Sequence, residues 1–106
     1  MTEGLMREIN EAYTKLSAAS EGLAEADREL SEYVRRVRVD NAEALLEAKN
    51  ERTANLYLEG MLDTDEHRAL KEARDRAELD HGHARREVER LHLVVRLLAA
   101  NPEGTS

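Results

Sequence analysis

Ile9, Leu16, Leu23, Leu30, Val37 and Ala44 stand seven residues apart without interruption, and Leu5, Ala12, Ala19, Ala26 and Tyr33 hold a second seven-residue series between them. The two series interleave in steps of four and three, the a/d pattern of a helix made to lie along another helix. The spacing predicts one helix over about 3–58. Its d positions are mostly alanine, so two axes can approach closely while burying little. At about 0.8 kcal/mol per buried CH₂, alternating Leu with Ala gives up much of the driving force. A lone hairpin with so thin a seam is marginal, and self-association is the expected remedy.

Three β-branched residues, Val34, Val37 and Val39, precede the stretch DNAE at Asp40–Glu43, which has the spacing of a capping box. A bend near residues 39–41 is therefore weighed against an unbroken helix, and the unbroken helix is preferred. A clearer interruption stands at YLEGMLDTDEH, where Gly60 suits a left-handed helix end and Asp63 or Thr64 suits the next N-cap. The turn is placed at 59–63. A second helix follows over about 64–100, with Leu70, Ala77, Ala84, Leu91 and Leu98 again seven apart and His81, Val88 and Val95 beside them. Asn101-Pro102 ends it, leaving 101–106 as a disordered tail. The expected fold is all-α: one domain over 1–100, a long antiparallel helical hairpin of coiled-coil type. The second helix is the shorter, so part of the first is expected to lack a partner within the chain and to dock on another copy. Leu16, Leu23, Leu30, Val37, Leu91, Val95 and Leu98 are the expected oligomer seam.

Composition agrees with that class. Charged residues make up 37% of the chain, with three Tyr, no Phe and no Trp, a set suited to narrow seams between helices. The absence of Cys excludes a disulfide framework and a thiolate zinc site. The amino-terminal MTEGLMREIN carries acid where a secretory leader has a basic flank and an apolar run, and no apolar stretch approaches bilayer length. A cytoplasmic protein without membrane contact is expected.

The net charge of −7 is unevenly placed: residues 1–34 hold eight acids against three bases, residues 35–60 five against five, and residues 61–106 ten against eight. Overall acidity disfavours nonspecific duplex binding, which needs several phosphate contacts together. Two basic groups stand out nonetheless. Arg35, Arg36 and Arg38 lie within four positions, and Arg76, His83 and Arg90 repeat by seven with Arg86 beside them. Around an oligomer they could track the phosphates of a single strand. The plainer account pairs Arg85 with Glu89, Arg74 with Glu78 and Glu32 with Arg36, each four apart on a helix.

No catalytic constellation or glycine-rich phosphate loop is present, so neither an enzyme nor a cofactor is expected. His81 and His83 are two apart on a helix and point in nearly opposite directions, so they cannot share one metal ion. No metal site is assigned. His81 sits in the seam, where a polar residue commonly fixes register.

The stretch AEALLEAKNERTANLYLEG (42–60), followed by DTDEHRALKEARDRAELDH (63–81), resembles small helical proteins of tailed bacteriophages. The first part carries Ala48, Lys49, Asn50, Arg52, Tyr57, Leu58 and Gly60; the second carries Arg68, Ala69, Lys71, Ala73 and Ala77. Such proteins look like UvsY-type recombination mediators. The resemblance implies a ring-like homo-oligomer that binds single-stranded DNA and helps load a recombinase in the host cytoplasm, with Lys49, Arg52 and Arg35–Arg38 as first contacts. Departures from the pattern are the acidic balance and the scarcity of aromatics. A structural coiled-coil module that assembles or bridges proteins without nucleic acid is the alternative.

Overall fold

The computed structural model describes residues 2–100. Four helices follow in order: α1 over Thr2–Asp40, α2 over Ala42–Leu46, α3 over Glu51–Met61 and α4 over Asp65–Ala100. No strand occurs among the described residues, and the fold is all-α. The expected tail at 101–106 lies outside them. The chain divides into two compact units, Met1–Leu23 with Ala77–Ser106, and Ala24–Arg76. Within each unit a part of α1 and a part of α4 pair antiparallel.

The first unit is built on Leu91, 1% exposed, with buried Ala12 and Val88 beside it and half-buried Leu5, Ile9 and Leu16 packed around them. Ala77, Ala84 and Leu91 turn inward along α4 as the seven-residue repeat requires, with His81 and Val88 between them. Because Ala12, Ala19 and Ala84 are small, they leave a shallow groove, rimmed by Lys15, Asp80, His83 and Glu87. On one flank Tyr13 Oη lies 2.5 Å from His92 Nε2.

In the second unit Tyr33 is the buried residue. Its hydroxyl lies 2.7 Å from Thr64 Oγ1, and its ring stacks on His67 at 6.0 Å between centroids. Thr64 Oγ1 also accepts the His67 backbone N–H at 3.1 Å, so one hydroxyl both caps α4 and holds the seam tyrosine. Arg74 Nε donates to Asp27 Oδ1 at 2.9 Å across the pair.

Three expectations are corrected. The first helix does not run to residue 58. It ends at Asp40, and a second break covers 47–50. Beyond Val37 the half-buried positions are Asn41, Leu45 and Ala48, whereas Ala44 is exposed. Consecutive steps of four advance the apolar stripe around the helix by about 40° each, so a straight helix would carry it off its partner. The chain breaks instead. Asn41 Nδ2 donates to the Val37 carbonyl at 2.8 Å, and Asn50 Oδ1 accepts the Thr53 N–H at 2.9 Å to start α3.

Gly60 is not a left-handed cap. It lies inside α3, no positive φ occurs among the described residues, and the helix closes through Leu62, whose N–H reaches the Leu58 carbonyl at 2.9 Å. The turn is accordingly shorter than 59–63. Finally, α1 and α4 are nearly equal at 39 and 36 residues. The part of the first helix expected to lack a partner is, in the structure, α2, its link and α3. Gly22 within α1 and Gly60 within α3 each have open space where a Cβ would stand.

Candidate interaction surfaces

Of the expected oligomer seam, Leu16, Leu23, Leu30 and Val37 are half-buried and Leu91 is buried within a single chain. These five serve the fold. Val95 and Leu98, which continue the same repeat, are 39% and 44% exposed, and Val94 takes the half-buried position beyond Leu91. The contact of Tyr13 with His92 sets Leu98 level with Arg7, so α1 still runs beside these turns and leaves them only partly covered. Leu93 and Leu97 are also exposed, so the last turns of α4 are apolar on most sides, with Arg96 as the charged exception.

The basic residues divide between the units. Arg35 and Arg38 are exposed one turn apart on α1, and Arg36 stands with its guanidinium carbon 5.9 Å from the Tyr33 ring centroid. Lys49 and Arg52 do not share the first helix: Lys49 is in the 47–50 break and Arg52 in the first turn of α3. No ion pair is found for these five cations among the described residues. Glu32 thus does not engage Arg36 as the four-residue spacing suggested. Arg76 is exposed in the second unit, while Arg86 and Arg90 belong to the first.

Arg86 Nη2 lies 3.1 Å from His83 Nδ1. Arg90 donates twice to Glu87, at 2.7 and 3.1 Å, which holds the Glu87 carboxyl below its usual range and Arg90 above its own. Arg85 and Glu89 come within 3.8 Å, as their spacing predicts. Arg68 is raised by Asp65 first and by Asp63, whose carboxylate it meets at 2.7 Å; the three side chains brace the start of α4.

His81 is half-buried in the seam and His83 is exposed, and no group of three potential metal ligands converges among the described residues. No described helix is long and apolar enough to cross a membrane. Sequence reading overlooked Asn50 as a cap and the Tyr33–Thr64–His67 cluster. Asn-Glu-Arg-Thr carried the first signal, a preferred N-cap followed by acid in the first turn. Comparison with family models, with curated proteins and with solved structures finds no match to this chain. The likeness to recombination mediators consequently rests on the quoted motifs alone.

Proposed function

We propose that this protein is a structural assembly module whose working state is a homo-oligomer of helical chains. One observation carries the reading: the chain exposes far more surface than a self-sufficient protein of its mass. A globular monomer of 12.0 kDa is expected to expose roughly 6,000 Å², whereas this chain exposes 8373 Å² and buries only Ala12, Tyr33, Val88 and Leu91 among its described residues. Shared burial between copies offsets that deficit, as in small scaffolds generally. Light scattering coupled to size exclusion tests it. A mass above one chain that falls on dilution is the expected result. One chain at every concentration refutes it.

A second reading has its own support. Among the described residues no acidic partner is found for Arg35, Arg36, Arg38, Lys49 or Arg52, in a chain of net charge −7. Cations left unpaired amid so much acid are available for phosphate, and a single strand is the nucleic acid that a modest basic surface can hold. On this account the oligomer is an accessory of recombination that binds single-stranded DNA weakly. Affinity for a labelled oligonucleotide should then fall steeply between low and physiological salt. Arg35, Arg36 and Arg38 changed together to Gln should weaken it with helicity retained. No binding at low salt leaves the assembly module alone.

A further inference from the structure

Gly22 and Gly82 stand inside the two long helices, and the fold supplies no reason for either. No positive φ occurs among the described residues. A Cβ on Gly22 would meet nothing within 4 Å, and one on Gly82 would come no closer than 3.4 Å, to the flexible guanidinium of Arg86. Glycine is the poorest helix former after proline. Each position therefore weakens its helix and returns no contact.

The contact of Tyr13 with His92 sets residue 22 level with residue 83, so the two glycines share one level of the first unit to within a residue. The seam is thin around them. Among the described residues none is buried on α1 between Ala12 and Tyr33, and none on α4 before Val88. The inward positions there, Ala19, Leu23, His81 and Ala84, are half-buried, and only one of them is a large apolar side chain.

We infer that the hairpin carries a joint at this level: α1 and α4 open locally around Gly22 and Gly82 while the clusters on Leu91 and on Tyr33 stay closed. Local opening is cheapest where few apolar contacts are buried and backbone hydrogen bonds face solvent. Glycine on both helices removes the conformational preference that would resist it. Paired helices ordinarily fray from their ends; this pair also parts in its middle. Opening bares Ala19, Leu23 and Ala84 without unfolding either buried cluster, so the seam becomes accessible at one place along its length. The joint belongs to one chain and stands whether or not copies associate.

Amide hydrogen exchange, followed peptide by peptide and corrected for intrinsic rates, tests the joint. In the parent, protection over 18–25 and 78–85 should be at least about tenfold lower than over 9–16, 30–36 and 87–93. Exchange in the middle should also be insensitive to low urea, the mark of an opening that exposes little surface. Gly22→Ala with Gly82→Ala should raise protection of the middle by roughly tenfold, more than it raises that of the flanks. A middle as well protected as its flanks overturns the joint. So does a middle whose exchange rises with urea as steeply as that of the flanks, or a gap that the double variant leaves unchanged.

Discussion

Replacing Leu91 by alanine tests whether the thin seam holds the first unit together. The substitution removes three carbons from a side chain that is 1% exposed. At ~0.8 kcal/mol per buried CH₂, transfer alone gives about 2.4 kcal/mol. A rigid core would add a cavity penalty, carrying the loss toward about 5 kcal/mol. The shell here is looser: Leu5, Ile9 and Leu16 are only half-buried and can settle into the space. The expected loss is therefore about 2.5–3.5 kcal/mol, a large share of the roughly 5–15 kcal/mol usual for a folded domain.

Leu79→Ala is the matched control, the same chemistry on the same helix at a side chain 63% exposed. It should stay within about 0.5 kcal/mol of the parent. Urea unfolding followed by circular dichroism reads both, at one fixed protein concentration because association adds to apparent stability. Coincident midpoints for the two variants would show that burial at Leu91 contributes nothing beyond exposed-helix chemistry, and the reasoning would fail.

The caps and the ion pair give three further tests. Thr64→Ala should cost about 1 kcal/mol or more through the lost cap, and Tyr33→Phe about 0.5–1.5 kcal/mol; strict additivity in the double variant would deny that Tyr33 and Thr64 are joined. Asn50→Ala should destabilise α3 by about 1 kcal/mol and Asn50→Gly by only a few tenths, read as faster proteolytic cleavage around 47–50; equal cleavage of all three proteins contradicts the cap. Glu87, lowered by its hydrogen bonds from Arg90, binds fewer protons folded than unfolded, so its contribution is present above the ordinary carboxylate range and fades as pH falls through its folded value. The gap between parent and Glu87→Gln should shrink on acidification; a gap that widens has the wrong sign.

Much of the fold was legible because seven-residue spacing is a geometric statement. It identified Leu16, Leu23, Leu30 and Val37 on α1, and Leu70, Ala77, Ala84 and Leu91 on α4, as inward positions. The spacing could not say where the pattern stops. Counting forward by sevens carried the register through Ala44, while the chain had already switched to steps of four at Asn41 and Leu45. Gly60 misled because glycine permits a left-handed turn without requiring one. The surfaces were less legible than the seam. Helical spacing paired Arg85 with Glu89 correctly, but it could not show that Arg74 also reaches Asp27 on the other long helix, nor that Arg36 lies over Tyr33 and not against Glu32, partners chosen by tertiary placement or by an aromatic face.

Gly22 brings a practical consequence. It occupies the interior of a long helix with nothing within 4 Å of where a methyl group would go. Alanine there would raise helix stability by up to about 1 kcal/mol at no steric penalty. The molecule can thus be hardened against heat from its outer face, giving a tougher parent in which damaging changes to the leucines can be measured before the whole chain melts.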